Sequence, residues 1–185
     1  IKAFIFRIII AQIAFGQSEN HVIVTGTKCT MIPPKGFIAA TGISGFQNKH
    51  LNASIAILEI PLSVQEFSEG FATEGLSAKG MTLVDKAIIG FDSSEALYIK
   101  VSQSAKGITY HKQMLVFGDS LKAVLVIGVY PEKNKIIETD IHNALLSTRY
   151  NESQNINPLE AVNFMIKVNG TEFKLVNYFT GSLIY

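Results

Sequence analysis

Four histidines, one cysteine and two serine-bearing glycine turns are the groups in this 185-residue chain that could serve as base, nucleophile or metal ligand. The histidines are His21, His50, His111 and His142. No two of them stand two, three or four residues apart, so none shares a strand or helix face with another, and no His-Glu-x-x-His spacing occurs. His111 sits in a strand-like run and faces opposite to Tyr110, which puts it in solvent or in a seam between sheet and helix. Cys29 is alone, so the chain can form no intramolecular disulfide and no thiolate cluster. Between Lys28 and Thr30-Met31 it reads as a small strand residue rather than a nucleophile. Gly42-Ile43-Ser44-Gly45 approaches a nucleophile elbow, but the last glycine comes one residue early and no strand–turn–helix context surrounds it. Gly118-Asp119-Ser120 reads as a tight turn. The glycines are isolated, so no phosphate-cradling loop is present. Glu66, Glu69 and Glu74 fall on or near one helix, where Glu66 serves the cap and the others a solvated face. Asn52, Asn151 and Asn169 each open a glycosylation acceptor pattern, which carries no meaning if the source is bacterial. The residues thus predict no catalytic set, no metal and no cofactor.

Composition narrows the class. The chain is 48% hydrophobic and 17% charged, without tryptophan, and the charge lies below the ~25% of average soluble chains. That balance predicts a sheet-rich protein with a large aliphatic interior. Lys2 and Arg7, the apolar run Ile8–Phe15 and the small residues Ala14 and Gly16 make a secretory signal over 1–16. The run is too short for a spanning helix, which needs ~20 residues, and no lipid-bearing cysteine follows it, so no transmembrane anchor is expected. Removing the signal changes the balance from 16 basic against 15 acidic residues to 14 against 15, a net −1. A near-neutral surface with scattered basic residues gives no electrostatic case for nucleic acid or anionic membrane. The chain starts without methionine and stops in the apolar run Leu183-Ile184-Tyr185, so it reads as a fragment at both ends.

The elements that must position these groups are legible from punctuation. His21–Thr25 and Lys28–Ile32 read as strands joined at Gly26-Thr27, and Pro33-Pro34 ends the second. Ser54–Ile60 is apolar on both faces apart from Glu59 and reads as an inner strand. Ser63 followed by Glu66 is a capping box, and Val64, Phe67, Phe71 and Ala72 form one apolar stripe, so one helix is expected from Ser63 to Gly80. Four strands follow, Thr82–Ile89, Glu95–Gln103, Ile108–Phe117 and Leu121–Tyr130, and their short turns force antiparallel neighbours. Pro131 opens a second helix over Glu132–Thr148. Asn163–Val168 and Glu172–Val176 flank Asn169-Gly170, a hairpin signal. Two inner strands apolar on both faces need cover on both sides. The expected class is α+β, a three-layer α/β/α sandwich with a central antiparallel sheet.

One order of motifs is specific enough to resemble a known family. It runs Gly26-Thr27, Pro33-Pro34-x-Gly36-Phe37, Gly45-Phe46, the Ala53-Ser54-Ile55 strand, the capped helix, Gly80, and a meander ending at Tyr130-Pro131. This resembles bacterial envelope proteins of the PsbP-like superfamily, over about residues 22–148. The superfamily also holds a photosystem II accessory protein and a Ran-binding nuclear import factor. Asn157-Pro158-Leu159 and the following hairpin resemble a C-terminal extension of its uncharacterised bacterial members. The resemblance implies non-catalytic work on protein partners. No residue here maps onto a Ran-binding or photosystem-binding surface, so neither function is carried over.

Together these readings predict a signal over 1–16, a PsbP-like domain over 17–150, and a C-terminal hairpin extension over 151–185 that begins a truncated second segment. The expected function is an exported, periplasmic or extracellular, non-catalytic binding or accessory module with a protein partner. Phe37 and Phe46 are either apolar plugs at the sheet end or, with Phe71, the lining of a groove for a small apolar ligand or partner; a carrier or sensor of such a ligand is the second reading. A hydrolase completed beyond Tyr185 is the third.

Overall fold

The computed structural model describes residues 20–161, 167–179 and 182–185. The signal-like residues 1–16 and most of the Asn163–Val168 run lie outside them. The chain begins with three short strands, β1 (Val22–Ile23), β2 (Cys29–Met31) and β3 (Ile38–Ala39), followed by β4 (Gly45–Asn48) and β5 (Ala53–Ile60). Helices α1 (Val64–Glu69) and α2 (Thr73–Ala78) precede a meander of β6 (Met81–Phe91), β7 (Ser94–Ala105), β8 (Ile108–Gly118) and β9 (Ala123–Pro131). A 3₁₀ turn over Glu132–Ile137 leads into α3 (Glu138–Leu146), then β10 (Arg149–Tyr150), β11 (Asn177–Phe179) and β12 (Ser182–Ile184).

Among the described residues, seven strands form one antiparallel sheet in the order β3-β4-β5-β9-β8-β7-β6. The fold is therefore a sheet-dominated α+β arrangement with few helices. Short turns keep β6 to β9 as neighbours, as their loop lengths predict. The step from β5 to β9 is non-local, and its register pairs Ile57 with Val126 and Ile55 with Gly128. A second sheet, β1-β2-β10, brings Tyr150 opposite Cys29.

Strand alternation divides the core into two clusters. On one side of the large sheet Ile55, Ile57, Leu115, Val124 and Val126 pack with Ile141, Ala144 and Leu145 of α3 and with Val24, Cys29 and Met31 of the small sheet. Gly128 lets α3 lie close, since a Cβ there would meet Ile141 Cγ2 at 2.3 Å. On the other side Leu97, Ile99, Val101, Met114 and Val116 pack with Leu76 of α2, flanked by Val64, Phe67 and Phe71. Leu58, Leu125 and Ile127 on that side remain half-buried. Strands β5 and β9 are thus less enclosed there than their composition predicts.

Three local expectations are corrected. The helix expected from Ser63 to Gly80 is two six-residue helices, with Gly70 as the C-cap of the first and Ala72 extended before the second. Gly70 and Gly75 each disfavour helix by up to ~1 kcal/mol, and the chain breaks beside the first. The helix expected over Glu132–Thr148 begins as a 3₁₀ turn with a non-helical Asn134 and becomes α-helical only at Glu138. At Asn169-Gly170 the turn forms, with Thr171 N donating to Val168 O at 3.0 Å. Its expected partner Glu172–Val176 is not a strand; pairing occurs instead between Asn177–Phe179 and Ser182–Ile184.

Candidate functional site

Two groupings of polar side chains stand out, and both lie on the α3 side of the sheet. The first is a seam between the sheet and the chain from Glu132 to His142. His111 on β8 lies opposite Tyr130 on β9, and their rings stack at 5.5 Å with a 27° interplanar angle. His111 is 93% buried (7% exposed). Its Nε2–H donates to the Glu132 carboxylate, while Nδ1 has no hydrogen-bond partner among the described residues. Two residues along, the fully buried Gln113 accepts from the Tyr98 hydroxyl at 3.0 Å and donates to Tyr130 Oη at 3.2 Å and Glu138 O at 2.9 Å. Lys100 donates to the Glu138 carboxylate, and His142 meets Tyr98 edge-on at 5.2 Å.

The partners of the fully buried Gln113 answer a burial cost, because a buried polar group without a hydrogen bond costs ~1–3 kcal/mol. Burial pushes the Tyr98 phenol up to about 12, helped by Asp85 and Glu138. Tyr130 is also pushed up, first by burial. The hydrogen bond from His111 holds Glu132 below the usual carboxylate range. For Glu138 burial pulls upward, but Lys100 outweighs it and the carboxyl is lowered. A histidine–carboxylate pair is half of a general-base arrangement. The other half would be a hydroxyl or thiol on the free nitrogen, and none bonds to it. Ser44 is buried with its Oγ unpartnered among the described residues and its carbonyl accepting from Ile57 N. Cys29 lies in the small sheet, where burial pushes its thiol up to about 12. Among the described residues no group of three or more His, Cys, Asp or Glu side chains could hold a metal ion.

The second grouping surrounds a cleft of about 510 Å³ at the β8–β9 turn, lined by Phe117, Gly118, Asp119, Lys122, Val124, Tyr150 and Glu152. The turn is built locally. Asp119 Oδ1 accepts from the backbone N–H of Leu121 at 2.8 Å and of Lys122 at 3.0 Å, which lowers its carboxyl. Gly118 takes φ 149°, and a Cβ there would meet Lys122 O at 2.3 Å. Lys122 Nζ donates to Tyr150 Oη at 3.1 Å and Glu152 Oε2 at 3.1 Å, and Lys28 Nζ donates to Glu152 Oε1 at 2.9 Å. The polar groups beside it, Lys28 first and then Tyr150 and Lys122, hold the Glu152 carboxyl down at about 2. Phe117 meets Tyr150 edge-on at 6.5 Å and packs on Phe91 at 4.8 Å.

With this geometry in place, comparison with known proteins bears on the fold. By sequence the chain matches no family model and no curated protein. By structure it is similar to cyanobacterial PsbP (CyanoP) from Synechocystis sp. PCC 6803, with a TM-score of 0.52 at 10% identity over 71% of this chain and 92% of that one. The fold is PsbP-like. At this identity the likeness extends to the fold alone. The chain is also similar to a protein of Bacteroides thetaiotaomicron VPI-5482, with a TM-score of 0.48 at 12% identity over 72% of this chain and 48% of that one. A further similar structure is LpqN, involved in cell envelope biogenesis of Mycobacterium tuberculosis, with a TM-score of 0.49 at 12% identity over 72% of this chain and 86% of that one.

Within the PsbP-like fold the residues singled out in sequence are distributed as follows. Phe37 and Phe46 are buried in the α3-side cluster. Phe71 belongs with the opposite cluster and stacks on Phe67 at 4.9 Å. The Pro33-Pro34 stretch ends in a turn, with Phe37 N donating to Pro34 O at 3.0 Å and Gly36 at φ 80°. It forms a groove of about 350 Å³ with Asp140, Asn143 and Ser147. His111 occupies the sheet–helix seam, one of the two settings its strand position allowed. Sequence reasoning missed Lys28, Lys122, Tyr150 and Glu152 as a group. The available signal was the Gly118-Asp119-Ser120 turn, which aims Lys122; the pairing of β2 with β10, which brings in Lys28, leaves no local trace.

Proposed function

We propose that the chain is an exported, non-catalytic accessory or binding module of the bacterial envelope that acts on a protein partner. The observation that carries this reading is the use made of the most reactive pair, His111 and Glu132. The imidazole is stacked on Tyr130 and its bonded nitrogen ties β8 to the 3₁₀ turn. Glu138 likewise ties Lys100 and Gln113 to the start of α3. These groups hold elements together, and a PsbP-like scaffold built in this way offers surfaces rather than a reaction centre. Among the described residues no helix is long and apolar enough to cross a membrane. The signal-like residues 1–16 support export. We read 17–150 as the domain, with α3 on one side and a partial helical layer, α1 and α2, on the other, and 151–185 as an extension to it.

The test combines two assays on the full chain. A tagged copy cross-linked in its own envelope should retain one protein in stoichiometric amount, and the purified pair should re-form the complex. Ester and peptide substrates should show no turnover that His111→Gln abolishes. Turnover lost in His111→Gln while the melting temperature is retained would overturn the reading, as would the absence of any reconstituted partner.

A further inference from the structure

From the cleft at the β8–β9 turn we infer a second binding capacity: it takes a small carboxylate carried on an aromatic body, and Glu152 occupies the carboxylate position in its absence. Two lysines from separate parts of the fold, Lys28 before β2 and Lys122 before β9, converge on that one carboxylate, and Lys122 donates as well to the Tyr150 hydroxyl of β10. Exposed ion pairs are individually weak and immobilise long side chains, so such a concentration around a residue that is 64% exposed is more than a clasp requires. The same carboxylate stands at the mouth of a cleft of about 510 Å³, within the ~300–1,000 Å³ range of small-molecule sites. Its floor is apolar: Phe117 and Val124 are both buried, and Phe91 backs Phe117.

Glu152 satisfies the donors but is too short and too polar to fill that floor. A ligand with its own carboxylate and a flat ring matches both parts. The Phe117 and Tyr150 rings meet at 74°, so a third ring would find both a face and an edge, the geometry aromatic groups favour. Lys122 Nζ also sits 5.4 Å from the centre of the Tyr150 ring, which keeps the ammonium at the aromatic wall when Glu152 leaves. Asn151 N donates to Lys28 O at 2.9 Å and Gln154 Nε2 to Thr27 O at 3.0 Å, so the backbone of this segment stays in place and Glu152 leaves by rotation of its exposed side chain. Asp119 lies at the rim with its Oδ1 held by two backbone N–H groups, and it disfavours a second negative charge on the ligand. A monocarboxylate is therefore the matching class.

The inference rests on the chain being a binding module, but its test is independent of the protein partner. The full chain, labelled with ¹⁵N, is titrated with 3-phenylpropionate, with its uncharged amide, and with a Gly-Gly-Gly-Phe peptide bearing a free C-terminus. Saturable shifts at Gly118, Asp119, Lys122, Val124 and Tyr150 are expected with the acid and not with the amide; the peptide arm decides whether the natural source is a free acid or a chain end. Glu152→Gln removes the internal competitor and should tighten binding about fivefold. Lys122→Met should weaken it at least about tenfold, while Lys122→Arg retains it. Absence of saturable shifts in both the parent chain and Glu152→Gln, or weaker binding in a Glu152→Gln chain whose amide spectrum shows it still folded, overturns the inference and leaves Glu152 as a structural clasp only. Either result stands apart from the partner-capture experiment.

Discussion

Replacing Gly128 by alanine tests how α3 is seated on the sheet. Gly128 sits on β9, and its missing side chain is the space into which Ile141 packs. A Cβ at this position would lie 2.3 Å from Ile141 Cγ2 and 3.4 Å from Leu145 Cδ1. Apolar carbons rest at ~3.5–4.0 Å, so the shortfall to Ile141 exceeds an ångström. Ile141 and Leu145 are both fully buried, and neither can rotate into solvent; the helix must shift or Ile141 must leave its rotamer. Overpacking of this kind costs ~1–3 kcal/mol, and the size of the overlap places Gly128→Ala in the upper part, about 2–3 kcal/mol. For a chain of this length that is a fall of about 5–10 °C in Tm. Urea denaturation followed by far-UV circular dichroism reads it directly. Gly90→Ala is the control: Gly90 is exposed on the edge strand β6 and a Cβ there meets nothing within 4 Å, so its stability should stay within ~0.5 kcal/mol. Ile141→Leu removes the offending methyl branch, and the double variant should recover at least ~1 kcal/mol of coupling. Gly128→Ala matching the parent within ~0.5 kcal/mol, or a double variant that is merely additive, would refute the seating of α3 described here.

Two further outcomes follow from the same packing and charge arguments. Cys29 is fully buried with its thiol pushed up to about 12, so iodoacetamide at mild alkaline pH should label it only after denaturation; labelling of the native chain at the rate of a free thiol would contradict its place in the small sheet. Glu152 is depressed on folding to about 2, so its contribution is present above about pH 5 and is lost as the pH falls towards 2. The urea midpoint should drop across that window, and Glu152→Gln should flatten part of the drop; identical acid limbs in the two proteins would sink the assignment.

The amino-acid sequence alone determined the features whose causes are local. Ser63 and Glu66 are three residues apart, and the capping box forms as read, with Ser63 Oγ accepting from Glu66 N at 3.1 Å and Glu66 Oε2 accepting from Ser63 N at 2.8 Å. The meander from β6 to β9 follows from short turns and alternation, and the motif order pointed to the PsbP-like fold. The split between α1 and α2 was at the edge of legibility: the glycines were visible, but whether packing would override them was not. The tertiary structure decided the rest. His111 acquired its partners only when β8 and β9 came into register and the 3₁₀ turn folded back over them. Lys28 and Glu152 are 124 residues apart, and only the pairing of β2 with β10 brings them together. Propensity and periodicity act over a few residues, whereas contacts of this kind depend on strand register and helix seating, which are set by burial summed over the whole chain.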